Sequence, residues 1–123
     1  MKSMAKIMVV DDEPDIRKLI EKILKKQGHK IVQCENGRQC VERFPDEKPD
    51  LVILDVMMPE LDGWETYKRL LKIKPKQRVL FLTAVTLEAE ARKQMERLGV
   101  SHYLTKPFDP PELIERVRTV LSE

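Results

Sequence analysis

Short apolar runs set between helix-length amphipathic stretches constrain this chain more than any other feature. Ile7-Met8-Val9-Val10, Leu51-Val52-Ile53-Leu54 and Val79-Leu80-Phe81-Leu82 are too short for buried helices and read as strands covered on both faces. Lys30–Cys34 supplies a second strand in chain order and His102-Tyr103-Leu104-Thr105 a fifth. Strands that alternate with helical patterns from end to end predict an α/β fold with a doubly wound parallel sheet. Right-handed crossovers then put helices on both faces.

The predicted helices have readable ends. Ile16, Leu19, Ile20, Ile23 and Leu24 repeat at helical spacing and predict one apolar stripe, with Pro14 in the first turn and Gly28 as the C-terminal cap. A second helix is expected to begin near Asn36-Gly37 and stop by Pro45. A third opens at Asp62-Gly63-Trp64-Glu65, a capping-box spacing, and runs to about Lys74. The fourth carries Leu87, Ala91, Met95 and Leu98 and ends at Gly99. The fifth opens at Asp109-Pro110-Pro111-Glu112, with Phe108 and Leu113 at the staple positions and Ile114, Val117, Val120 and Leu121 completing its stripe.

The ends of the strands point to chemistry. The first run ends in Asp11-Asp12, the third strand in Asp55, the fourth in Thr83 and the fifth in Lys106. Ligands of open α/β sheets sit at the carboxyl ends of the strands. Parallel strands would therefore gather three carboxylates, a hydroxyl and an ammonium at one edge. Crowded carboxylates repel unless a cation joins them. A hard divalent ion such as Mg²⁺, which keeps several waters, leaves room for phosphate oxygens. A metal-assisted phosphoryl site follows; helix capping by Asp11 and Asp12 alone would leave Asp55 and Lys106 unexplained.

Size and charge exclude other classes. The 123 residues suffice for one domain, and a net charge of +2 argues for neither nucleic-acid nor membrane binding. No stretch approaches the roughly 18 apolar residues of a membrane helix. Met1-Lys2-Ser3-Met4 is followed by no long apolar core, so a secretory signal is not expected, although a leader or an alternative first Met would fit there. Cys34 and Cys40 read as core residues in a reducing cytoplasm. Lys68, Arg69, Lys72, Lys74, Lys76 and Arg78 read as a solvated basic face, Trp64 as a half-buried aromatic, and His29 and His102 as neither metal ligands nor phosphohistidines.

The set Asp11-Asp12, Asp55-Val56-Met57-Met58-Pro59 with Gly63, Thr83-Ala84, Tyr103 and Lys106-Pro107-Phe108 resembles the receiver domain of two-component response regulators. The resemblance runs from about residue 6 to 121. It implies a flavodoxin-like (βα)5 fold with strand order 2-1-3-4-5, one receiver domain over residues 1–123, and no output domain within them. It implies that Asp55 is the phosphoacceptor, a carboxylate nucleophile attacking a partner's phosphohistidine. Asp11, Asp12, Asp55 and the Met57 main-chain carbonyl would hold Mg²⁺; Lys106 and Thr83 would contact the phosphoryl oxygens. Thr83 and Tyr103 would form the switch, acting on the face made by the fourth helix, fifth strand and fifth helix. It also implies a cis Lys106-Pro107 bond.

Partners implied are a histidine kinase or histidine phosphotransferase, docking near Arg17, Lys18, Glu21 and Lys22, and a downstream effector on the switch face. No direct nucleic-acid or membrane contact is expected, the location is cytoplasmic, and a phosphorylation-dependent dimer stays open. Met57 and Val85, which flank the site, are apolar and imply slow autodephosphorylation. Gly99-Val100-Ser101-His102-Tyr103 lacks an acidic pair seen in many receivers of winged-helix regulators, which leaves Arg116 without that partner and disfavours a winged-helix output. A Mg²⁺-dependent phosphohydrolase working through an aspartyl-phosphate would need D-x-D after the first strand, where Asp11-Asp12-Glu13 stands. The same acidic turn would repel a flavin phosphate.

Overall fold

The computed structural model describes residues 4–123, so the expectations for Met1-Lys2-Ser3 lie outside the described residues. Strands β1 (Lys6–Val10), β2 (Lys30–Cys34), β3 (Leu51–Asp55), β4 (Val79–Ala84) and β5 (Tyr103–Lys106) form one sheet in the order β2-β1-β3-β4-β5. Every pairing is parallel. Helices α1 (Pro14–Lys26), α2 (Gly37–Glu47), α3 (Gly63–Ile73), α4 (Glu88–Leu98) and α5 (Pro110–Leu121) connect and follow the strands.

Side-chain alternation along the strands divides the core into two layers. Ile7, Val9, Ile53, Leu80 and Leu82 pack with Ile20 and Leu24 of α1 and Leu113 and Val117 of α5. Met8, Val10, Leu54 and Phe81 face the other way, against Phe44 of α2, Tyr67 and Leu70 of α3 and Met95 of α4. Because both faces are covered, β3 is buried along its whole length.

Helix ends follow the local chemistry. Asn36, Asp62 and Asp109 each accept a hydrogen bond from the backbone N–H three residues on, and Glu112 completes a capping box in α5. Gly28 and Gly99 take positive φ at 93° and 71° just past α1 and α4. The Lys106–Pro107 bond is cis.

Four expectations are corrected. Helix α2 does not stop by Pro45 but continues to Glu47. A missing N–H near a helix end costs one bond, while buried Phe44 anchors the last turn and the left-handed Lys48 donates its N–H to the Phe44 carbonyl at 3.0 Å. Leu19 lies outside the buried stripe of α1 and is exposed; at about 100° round the helix from Ile20 it turns away from the sheet. Leu87 belongs to a separate 3-10 turn, Val85–Leu87, ahead of α4. Strand β5 begins at Tyr103 rather than His102, so Lys106 is its last residue.

Candidate phosphoryl-transfer site

Register brings the predicted residues to one sheet edge. Val10 pairs with Leu54, so Asp11 leaves β1 beside Asp55, the last residue of β3. Thr83 and Ala84 pair with Thr105 and Lys106, which places the ammonium at the same edge. Asp11, Asp12 and Asp55 each offer a carboxylate oxygen within 4.8 Å of the others; Asp11 and Asp55 are buried and Asp12 is exposed.

Lys106 ties the cluster together. Its Nζ lies 3.2 Å from Asp11 Oδ2, 3.4 Å from Asp55 Oδ2 and 3.5 Å from Glu13 Oε1. The second oxygens are held by backbone: Asp11 Oδ1 accepts from Glu13 N at 2.8 Å, and Asp55 Oδ1 from Met57 N at 3.2 Å. Arg17 donates to the Asp11 carbonyl at 2.6 Å and so fixes the β1–α1 turn from α1.

The cluster is electrostatically uneasy. Burial, and then the Asp11 carboxylate, push Asp55 from its ordinary 3.8 up to about 7, against the opposing pull of Lys106 and the Met57 N–H. Burial also raises Asp11. For Lys106, burial acts to lower the pKa, but Asp55 and Asp11 outweigh it and the net movement is upward. Two carboxylates that resist ionising beside one ammonium form a donor set suited to a hard divalent cation. All the available side-chain ligands there are oxygens.

Glycine makes the approach of α3 to the end of β3 possible. A Cβ on Gly63 would come within 2.4 Å of the Asp55 carbonyl oxygen and 2.7 Å of Val56 Cα. The Gly63 N–H donates to the Val56 carbonyl at 3.0 Å, locking the turn that follows Asp55.

The two residues expected to form the switch have separate partners. The Thr83 hydroxyl is buried and makes only a long 3.4 Å contact with the Ala84 carbonyl. Tyr103 is half-buried, and its hydroxyl donates to Glu88 Oε2 at 2.6 Å. Met57 and Val85 are exposed, at 62% and 54%, on the rim. Sequence reasoning missed the roles of Glu13 with Lys106, Arg17 with Asp11, and Glu88 with Tyr103, because each contact is set by the packing of loops and helices. It also left Arg116 without its acidic partner; the guanidinium instead donates to the Tyr103 carbonyl and lies 6.0 Å from the ring centroid.

The remaining readings find simple settings. Cys34 and Cys40 are buried, and burial raises the Cys34 thiol to about 11. Trp64 is half-buried, 4.8 Å from the Phe81 ring centroid. His102 pairs with Glu123 at 2.8 Å, and the basic residues from Lys68 to Arg78 are exposed. Among the described residues, no helix is long and apolar enough to cross a membrane.

Comparison with known proteins agrees with this geometry. The response regulator receiver domain family matches residues 7–118. The alkaline phosphatase synthesis transcriptional regulatory protein PhoP of Bacillus subtilis is 40% identical over 116 residues, covering 94% of this chain and 48% of PhoP. The chain thus spans about half the length of the first curated relatives it matches. Protein PilH of Pseudomonas aeruginosa is 34% identical over 120 residues, covering 97% of this chain and 99% of PilH. The chemotaxis protein CheY4 structure of Vibrio cholerae superposes with a TM-score of 0.86 at 29% identity, covering 96% of this chain and 99% of that one. With its strand order, its acidic cluster and these matches, the chain belongs to the response regulator receiver family of two-component signalling.

Proposed function

We propose that Asp55 accepts a phosphoryl group from a phosphohistidine on a histidine kinase or histidine phosphotransferase. The observation that carries this reading is the buried Asp55 carboxylate at the end of β3, 3.4 Å from Lys106 and inside a three-carboxylate cluster. An Asp55 oxygen attacks phosphorus, the P–N bond breaks, and its electron pair returns to the imidazole. The product on this chain is an acyl phosphate. Lys106 neutralises charge on the phosphoryl oxygens, and Thr83 is available to donate to one of them because its present contact is weak. Such transfer depends on positioning and electrostatics.

Asp11, Asp12, Asp55 and the Met57 carbonyl are the residues that would hold Mg²⁺. Bound there, the ion would offset the negative charge that builds up between Asp55 and the incoming phosphoryl group. A cation held there would also favour the ionised Asp55 carboxylate, against the burial that pushes its pKa up to about 7.

The receiver unit spans about residues 6–121. Its effector binds the face of α4, β5 and α5. PhoP is named a transcriptional regulatory protein, and that likeness weighs against reading the missing acidic pair as a bar to a transcriptional output. No observation favours a phosphohydrolase. The rim residues Met57 and Val85 cannot orient an attacking water, so the acyl phosphate is long-lived.

Intact mass after incubation with acetyl phosphate and Mg²⁺ tests the proposal. One phosphoryl mass should be gained by wild type and lost when EDTA replaces Mg²⁺. Folded wild-type protein that gains nothing would contradict it.

A further inference from the structure

We propose that Glu88 and Arg116 clamp Tyr103 and hold the α4–β5–α5 face in one of its two shapes. This deepens the receiver reading above and rests on it for the meaning of the two shapes.

Three observations converge on Tyr103. Its hydroxyl donates to Glu88 Oε2 at 2.6 Å, a short bond to a carboxylate on the first residue of α4. Arg116, on α5, donates to the Tyr103 carbonyl and places its guanidinium carbon 6.0 Å from the ring centroid. One aromatic side chain on β5 is therefore fastened to both neighbouring helices. Glu88 also raises the Tyr103 phenol through that hydrogen bond, with burial adding to it.

Helices α2, α3 and α5 each begin with a side-chain cap, from Asn36, Asp62 and Asp109. Helix α4, like α1, has no side-chain cap, and it begins after a 3-10 turn. Beside it lies a cleft of about 330 Å³ lined by Val56, Met57, Trp64, Thr83, Leu87 and Ala91. The first turn of α4 thus has room to move, and the Tyr103–Glu88 bond is a tertiary contact that ties it to β5. When the bond is cut, Tyr103 can turn toward Thr83, whose hydroxyl has only its 3.4 Å contact to give up.

The clamp is specific to these side chains. Here the guanidinium is committed within the chain.

Fluorine NMR on 3-fluorotyrosine-labelled protein tests this without any phosphoryl donor. The chain has two tyrosines, and Tyr67, buried on α3, serves as internal reference. The H₂O/D₂O shift of the Tyr103 fluorine reports ring exposure. Glu88→Ala should lower that shift and move the inward-to-outward ratio by about fivefold, the worth of one hydrogen bond. Glu88→Gln keeps an acceptor and should stay near wild type; Arg116→Met should move the ratio the same way by less. Unchanged Tyr67 signals show that the variants are folded. A Tyr103 fluorine that stays at its wild-type position in folded Glu88→Ala overturns the clamp. Whether wild type takes up a phosphoryl group is a separate measurement. Its failure would remove the phosphoacceptor reading and leave the tyrosine result standing.

Discussion

Replacing Asp55 by Asn should make the protein more stable above neutral pH, even though it removes the proposed nucleophile. In the fold Asp55 keeps its proton up to about pH 7, whereas its ordinary value is 3.8. Between those values the folded state binds more protons than the unfolded chain, so stability falls as pH rises through that window. A shift of about three units corresponds to a ceiling of roughly 4 kcal/mol at pH 8. Sharing of the charge with Asp11 reduces it. So does the amide, which can offer an oxygen to Met57 N or to Lys106 but not to both. Lys106 is not stranded, because Asp11 stays at 3.2 Å and Glu13 at 3.5 Å. The net gain expected is about 1–3 kcal/mol, or on the order of 5 °C in Tm. Thermal melts of both proteins at pH 5 and pH 8, without divalent ions, measure it. The gain should be largest at pH 8 and roughly two fifths as large at pH 5, which lies only about one unit above the ordinary value of 3.8. An Asn variant less stable than wild type at pH 8, or a gain that ignores pH, would refute the reasoning.

Other expectations follow from the same geometry. Lys106→Met leaves buried Asp11 and Asp55 facing each other without a cation, and should cost roughly 2–4 kcal/mol at pH 8 and less at pH 5 by denaturant melts. Mg²⁺ should stabilise wild type at pH 8 by about 1.4 kcal/mol at ten times its Kd, read as a higher Tm, and should stabilise Asp55→Asn far less; an equal effect on both would argue against Asp55 as a ligand. Gly63→Ala drives a Cβ into the Asp55 carbonyl, 2.4 Å away, and should destabilise by about 2–4 kcal/mol while slowing phosphoryl uptake in the folded fraction. The phosphorylated protein should lose its label slowly when followed by mass, since Met57 and Val85 cannot position water; decay within seconds would contradict that.

Much of the fold was legible because apolar runs four residues long, buried on both faces, have few other solutions. The strand ends were informative for the same reason: parallel strands deliver their last residues to one edge, and Asp11, Asp55 and Lys106 come together there. Caps at Asn36, Asp62 and Asp109 were readable since each acts within one turn. What depended on packing was not. Pro45 reads as a stop by itself, but the burial of Phe44 holds the last turn of α2 beyond it. Leu19 repeats with its apolar neighbours yet falls past the edge of the covered stripe. The contacts of Glu13, Arg17, Glu88 and Arg116 join residues on different elements through long, flexible side chains, and nothing local in the sequence selects those partners.

The most direct test is to locate the phosphoryl group itself. Borohydride reduces an acyl phosphate on aspartate to homoserine, which peptide mass spectrometry can place on a single residue. After treatment with acetyl phosphate and Mg²⁺, homoserine should be found at position 55 alone, and not in Asp55→Asn. Homoserine at position 11 or 12 in wild type, or reduced product that persists in Asp55→Asn, would mean that the nucleophile is another carboxylate.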